Sequence, residues 1–446
     1  MLRDCKTILV VAALTVCAGG QLGPARTSAE EPAPAKPRFA GPQERGFLLP
    51  NGWTITPAGE QVATTDLPLN IIPMADNRHV LVATNGFNRH ELSLIDFSTK
   101  QVVAREAMDQ SWFGLALNAA QDRVWWSGGG ADRIYAYRLL EGKLEPATGP
   151  ELPSPEGKAE NQFRSGILLD PTGTRLYSLN IDAGTLSTID LSLGAGGQVV
   201  KTAPVAGRPY DVVLARNGSR LYVSDWAGKS VVAVDPTELR VLAKIGVGEH
   251  PNQLVLHPKD DRLFVACASS NTVHVIDTRR GIVTETIYTT LFPQAPEGST
   301  PDALAIAPDG ETLFVANADN NCVAVVDIDE PGESQIMGFI PTGWYPTSVA
   351  VTPDGQHLLV GVGKGNQTKA NPLYQENEKR PEPPAGSTQR RRTLPYPYIG
   401  TTLSGSLSIV PMPSEEQLRA YTEEVYKNCP YSDKLLTVAP HSAKSP

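Results

Sequence analysis

The sequence predicts an all-β fold, a seven-bladed β-propeller of four-stranded antiparallel blades with a short C-terminal helix. Three observations predict it. First, one short apolar strand recurs seven times: HVLVAT (79–84), RVWWSG (123–128), RLYSLN (175–180), RLYVSD (220–225), RLFVAC (262–267), TLFVAN (312–317) and HLLVGV (357–362). The second residues of these copies, Val80, Val124, Leu176, Leu221, Leu263, Leu313 and Leu358, lie 44, 52, 45, 42, 50 and 45 residues apart. A period of about 40–50 residues built only from strands is that of a four-stranded propeller blade. Second, every copy has the same neighbours in the same order. Third, the chain carries 39 Gly and 38 Pro, a supply of turn-formers suited to many short strands.

Each blade reads as strands A to D. Strand A precedes the recurring strand: GLALNA (114–119), GILLDP (166–171), DVVLAR (211–216), QLVLHP (253–258), ALAIAP (303–308), SVAVTP (348–353). Its small or branched apolar residues suit a strand buried on both faces near the axis. The turns PTG (171–173), PDG (308–310) and PDG (353–355) join it to strand B, Pro setting φ and Gly accepting positive φ. Strand C ends in an acid: LSLID (92–96), LSTID (186–190), VVAVD (231–235), VHVID (273–277), VAVVD (323–327). The repeated Asp96, Asp190, Asp235, Asp277 and Asp327 suggest a metal less than they suggest Asx turns, because each stands in a different blade before Ser, Thr or other turn residues. Strand D follows, as in RVLAKIGV (240–247). Blade 7 has no D strand after GSLSIV (405–410), and a strand at 61–65 is expected to close it from the other end of the chain. Gly128 to Gly130 lack the Lys-Ser/Thr and helix of a phosphate loop and read as a bend between strands B and C.

The expected organisation is a signal peptide over 1–29, a linker over 30–50, the propeller over 51–411 and a helix with tail over 412–446. Residues 364–402 form an insertion between strands B and C of blade 7. Ser414 with Gln417 makes a capping box, and Leu418, Tyr421 and Val425 share one helix face, which would dock a partner. At the N-terminus, basic Arg3 and Lys6 precede the apolar run Thr7 to Val16, too short for a spanning helix. The small residues Thr27, Ser28 and Ala29 suit ordinary cleavage, and Cys17 would anchor the chain to a membrane only if it were lipidated. Periplasmic or extracellular export is expected.

Of five cysteines, Cys267, Cys322 and Cys429 lie beyond the export segment, with no CxxC and no even framework, and read as small buried apolar residues. The net charge is -9, and the one basic cluster, Arg390 to Arg392, makes no footprint for nucleic acid.

The blade motif (LYVSD, LFVAN, then VAVD or VVD) resembles the YVTN repeat of YncE-like propellers. The stretches GWTITPAGEQV (52–62), GWYPTSVAVTPDG (343–355) and YIGTTLSGSLSIV with its helix (398–428) are similar to the branch that couples such a propeller to an alkaline-phosphatase-type phosphoesterase domain. The resemblance covers about residues 45 to 432. Neither the metal-binding Asp/His set nor the nucleophile motif of that phosphatase is in this sequence, so the resemblance carries no phosphatase activity here.

The D-to-A and B-to-C loops of any propeller emerge on one face. There the sequence places Trp112, Arg164, Tyr210, Asp211, Trp226, His250, Asn252, Asp302, Trp344 and Tyr345, together with the insertion. Aromatic residues and a few polar groups around a concave mouth suit a protein, peptide or glycan ligand. The competing reading is that the large rings wedge between blades. Asp211, Asn252 and Asp302 are read as equivalent positions at the start of strand A. They are candidate oxygen ligands for a divalent metal at the channel mouth, or caps of strand-end amides. No catalytic residue and no cofactor is predicted. The preferred expectation is a non-catalytic binding or scaffold propeller, or the recognition half of a phosphoesterase system; the alternative is a metal-assisted lactonase or phosphoesterase using the axial Asp/Asn set.

Overall fold

The computed structural model describes residues 39–152, 162–293, 295–368 and 399–431. The expected signal peptide, most of the insertion and the tail after 431 lie outside them. Seven four-stranded antiparallel sheets follow one another along the chain. Their A strands are Pro68–Pro73, Leu115–Leu117, Arg164–Leu169, Pro209–Leu214, Pro251–Leu256, Pro301–Ile306 and Pro346–Val351. Blade 7 takes its fourth strand from the N-terminal side: Glu60–Ala63 pairs with Ser406–Pro411, Val62 opposite Leu407.

The core is not central. It lies in seven apolar seams, one between each pair of neighbouring blades. The seam of blades 7 and 1 joins Leu359, Leu407 and Ile409 to Val80, Val82 and Ile95, and the closing strand adds Val62. The strand-C acids form the Asx turns their sequence suggested. Asp235 Oδ1 accepts the amides of Thr237 and Glu238, and Asp277 Oδ1 those of Arg279 and Arg280. Asp96 accepts the Ser98 and Thr99 amides and an ion pair from Arg78, which holds its carboxyl well below the usual range.

Two features differ from the sequence reading. The stretch read as linker supplies two strands, Gly41–Pro42 and Phe47–Leu48, of a three-stranded sheet whose third strand, Thr54–Ile55, lies just beyond it. Strands of two residues have no measurable periodicity, so no pattern announced them. The C-terminal helix, Glu415–Asn428 with the Ser414/Gln417 capping box, does not present its apolar face outward. Leu418, Tyr421 and Val425 pack into the seams of blades 5 to 7, and Thr422 Oγ1 accepts the amide of Phe339 on the outer strand of blade 6. The helix thus covers a sheet edge that would otherwise offer free amides. Gly338 permits the close approach: a Cβ there would stand 2.5 Å from Thr422 Oγ1 and 2.9 Å from Leu418 Cγ.

Candidate functional site: the axial mouth on the loop face

Strand A begins with a β-bulge in six blades. In blade 4, Pro209 pairs with Asp225 and Val212 with Val223, so three steps on strand A match two on strand B. The same shift occurs in blades 1, 3, 5, 6 and 7. A bulge re-aims side chains, and here it creates two distinct axial positions per blade. Aligned on strand B, the first position is Leu69, Phe113, Ser165, Tyr210, Asn252, Asp302 and Thr347; the second is Asn70, Gly114, Gly166, Asp211, Gln253, Ala303 and Ser348.

Asp211 is therefore not equivalent to Asn252 and Asp302, contrary to the sequence reading; its counterpart in blade 5 is Gln253. Asp211 Oδ2 accepts the amide of Leu254 in the next blade at 2.9 Å, and Gln253 Oε1 accepts that of Leu304 in the next at 2.7 Å. Asn70 Nδ2 donates to Phe113 O, and Ser348 Oγ to Pro68 O. Second-position side chains thus tie one blade to the next. Gly114 and Gly166 have no room for such a side chain: a Cβ would lie 2.2 Å from Ser165 O and 2.8 Å from Tyr210 O respectively.

First-position Phe113, Tyr210, Asn252 and Asp302 make the floor of the mouth, while buried Ser165 and Thr347 donate to Pro209 O and Pro68 O of the next blade. The rings of Phe113 and Tyr210 meet with centroids 5.2 Å apart although blade 3 separates their strands. Burial raises the Tyr210 phenol well above its ordinary value, and the charges of Asp302 and Asp211 and the neighbouring Tyr345 push it further. Asp302 Oδ1 accepts from Asn252 Nδ2 at 2.8 Å. Burial pushes the Asp302 carboxyl up to about 7, the nearby Asp319 adds to the rise, and the Asn252 hydrogen bond opposes it. Asp211 is also pushed up to about 7 by burial, against the pull of the Leu254 and Val212 amides.

The wall on the blade 7 side is aromatic. Tyr345 holds φ 68°, a left-handed conformation that is strained for a bulky residue and harder still before Pro346. Leu67, His250 and Thr300 hold the same conformation before Pro68, Pro251 and Pro301. Asn321 Oδ1 fixes Tyr345 by accepting its amide at 3.0 Å. Lys364 Nζ sits 3.8 Å from the centroid of the Tyr345 ring and 5.4 Å from that of Trp344.

The structure therefore gathers Tyr210, Asp211, Asn252, Asp302, Trp344 and Tyr345 at the axial end. It separates the other four residues named from sequence. Trp112 and Arg164 lie at the junction of blades 2 and 3. Trp112 meets Phe163 edge-on at 5.1 Å, and the buried Arg164 pairs with Asp132 at 2.7 Å. Trp226 and His250 stack on each other at 4.1 Å, with Trp226 38% exposed. Phe113, Asp319 and Lys364 belong to the mouth but escaped sequence reading. Phe113 shares its register position with Tyr210, and a blade alignment that allowed for the bulge would have found it.

The donor set at the axis does not fit a divalent cation. Both Asp211 oxygens accept amides, Asn252 Oδ1 accepts the Gln253 amide, and Asn252 Nδ2 points into Asp302. Only the second Asp302 oxygen lacks a protein partner among the described residues, against the six to eight oxygens Ca²⁺ takes. Among those residues no three His, Cys, Asp or Glu side chains are grouped to hold a metal, and no helix is long and apolar enough to cross a membrane.

Fold and mouth together define the chain as a seven-bladed β-propeller. Residues 237–371 match the family described as Lactonase, 7-bladed beta-propeller. Among solved structures, Kuenenia stuttgartiensis Hydrazine Synthase is similar at 18% identity, covering 67% of this chain and 94% of that chain with a TM-score of 0.54. The structure of U3-55K is 10% identical, covering 78% and 98% with a TM-score of 0.56. The RRP9 WD40 repeats are 11% identical, covering 80% and 99% with a TM-score of 0.57. At these identities the likeness is one of fold. No curated protein sequence matches the chain.

Proposed function

We propose that the chain is an exported, non-catalytic propeller that binds a protein, peptide or glycan at the axial mouth of its loop face. The observation that carries this reading is the division of labour at the bulges. Both Asp211 oxygens and one Asp302 oxygen are engaged by neighbouring groups, while the rings of Phe113, Tyr210 and Tyr345 remain to meet a ligand. Its place would be that of a YncE-like recognition module, and a phosphoesterase on another chain would be a natural partner. The docked C-terminal helix leaves recognition to the mouth.

The family match over 237–371 favours a second reading, a hydrolase of lactone type. Carboxyls near 7, as at Asp211 and Asp302, have the proton affinity a general base needs at neutral pH. The first reading is tested by retention of a peptide and glycan panel on wild type, on Trp344→Ala/Tyr345→Gly, and on Arg279→Ala of the opposite-face loop that joins strands C and D of blade 5. Glycine suits the left-handed backbone at 345, so the mouth variant keeps its turn. Loss of retention only in the mouth variant supports the reading; equal retention by all three proteins defeats it.

A further inference from the structure

We propose that the face opposite the axial mouth carries a carboxylate-binding site, a cleft at the junction of blades 4 and 5 in which Arg220 takes the acid group of a ligand. The inference stands apart from the reading of the mouth, whose residues do not line this cleft.

The site emerges when two neighbouring blades are compared. Strand B is preceded by or opens on an arginine in both, Arg220 in blade 4 and Arg262 in blade 5. The turns that end on them, 215–220 and 257–262, are equal in length, because Leu214 pairs with Leu221 as Leu256 does with Leu263. In each blade the guanidinium reaches toward the C-to-D turn of the next blade. Arg262 is fully engaged there and only 8% exposed. Its Nη1 donates to Ile328 O at 2.6 Å and its Nε to Asp260 Oδ2 at 2.7 Å, while Nη2 lies 3.1 Å from His257 Nε2.

Blade 4 keeps the arginine and lacks its partners. Ala215 stands where blade 5 has His257, and Gly218 where it has Asp260. Tyr222 replaces Phe264, and its hydroxyl donates to Thr278 O at 2.8 Å. Arg220 Nη1 approaches that same carbonyl only to 3.5 Å, the outer limit of a hydrogen bond. Among the described residues no carboxylate pairs with Arg220. Beside it lies a cleft of about 230 Å³, lined by Ala215, Asn217, Arg220 and Tyr222 of blade 4 and by Asp261 and Arg279 of blade 5, among others.

The acid in this wall is already taken: Asp261 is ion-paired with Arg279. Arg220 is therefore the cation of the cleft that has donors to spare. A guanidinium presents five N–H donors in a planar fork that matches a carboxylate. Blade 5 shows such an acid held by the equivalent arginine, and blade 4 leaves that place to a ligand. The volume is below the roughly 300–1,000 Å³ of a drug-sized site, so the cleft suits an acid group on a short stem.

The test is saturation-transfer NMR of the full chain at pH 7 and constant ionic strength, read on the methyl group of acetate and of acetamide. Acetate should bind at least about tenfold tighter than acetamide, which has its shape without its charge. Sulfate, added as a competitor, should be severalfold weaker than acetate, because Asp261 and the nearby Asp277 disfavour a second negative charge. Nα-acetyl-aspartate methylamide, run beside acetate, distinguishes an acid on a peptide from a free one, and either order of affinity supports the carboxylate assignment.

Arg220→Gln should cut acetate affinity about tenfold, and Arg220→Lys, which keeps the charge and loses the fork, severalfold. Asn217→Asp covers the case in which the arginine variants fold poorly. It keeps the acceptor for the Ser219 amide and hydroxyl, adds a carboxylate to the cleft wall, and should weaken acetate severalfold. Trp344→Ala/Tyr345→Gly should bind acetate as wild type does, so the cleft and the mouth succeed or fail separately. Equal affinity for acetate and acetamide, sulfate as tight as acetate, or an acetate affinity untouched by Arg220→Gln and Asn217→Asp would overturn the proposal.

Discussion

Closure of the ring by Glu60–Ala63 makes a quantitative prediction about Val62. Its side chain is 6% exposed and lies in the seam of blades 7 and 1 with Leu407, Ile409 and Val80. Val62→Ala removes two carbons. At ~0.8 kcal/mol per buried CH₂ plus a share for the cavity, the cost is about 2 kcal/mol. Unfolding entropy for a ring of this size is about 0.8 kcal/mol/K at ~2.1 cal/mol/K per residue, so Tm should fall by ~2.5 °C. Val200→Ala is the matched control. It makes the same chemical change on the outer strand of blade 3, where Val200 is 54% exposed, and should cost less than ~0.5 kcal/mol. Differential scanning calorimetry of the two variants decides the matter. Equal shifts would show that the closing strand contributes no more than a surface strand, and the account of the seams would be wrong.

Three further outcomes are expected. Asp302 has a carboxyl raised to about 7 in the folded chain against ~3.9 unfolded, so the folded state holds the extra proton and stability falls as pH rises from ~4 to ~7. Asp302→Asn should therefore lose less Tm than wild type between pH 5 and 8, and identical pH slopes would refute the assignment. Gly338→Val should push the helix off blade 6 at a cost of ~1–3 kcal/mol, seen as faster proteolysis within 415–428. Cys267, Cys322 and Cys429 are buried, and burial pushes the Cys267 and Cys429 thiols up to about 12. A chain starting near residue 30 should be inert to a thiol reagent until denatured and then titrate three thiols; rapid native labelling would contradict the packing.

Much of the fold was legible because its repeats are physical. The apolar strand recurring from Val80 to Leu358 needs a neighbour on each side, so copies stack, and the acids after strand C reveal turns through the amides they accept. The helix was equally readable from Ser414 and Gln417, but what its apolar face packs on depends on Gly338 of a distant strand. The mouth was legible only in part. Its aromatic residues stand out by type, whereas the distinction between Asp211 and Asp302 depends on one bulge residue that no composition or period displays. Lys364 carries no local signal either, since its place over Tyr345 follows from the backbone pairing of Lys364 with Trp344 across the loop.

The bulge geometry also explains how one sheet edge can hold the ring together and keep a face for ligands. Asn70, Asp211, Gln253 and Ser348 at second positions and Ser165 and Thr347 at first positions tie one blade to the next, which leaves the rings of Phe113 and Tyr210 to alter recognition with little effect on closure. This separation is what the non-catalytic reading requires.

The most direct test of that reading is turnover. The chain from about residue 30 would be assayed against lactones and phosphoesters, with added divalent metal and with chelator. The account predicts no turnover in any condition. Turnover that chelator abolishes, and that Asp302→Ala removes, would contradict it and make the axial acids the centre of a hydrolase.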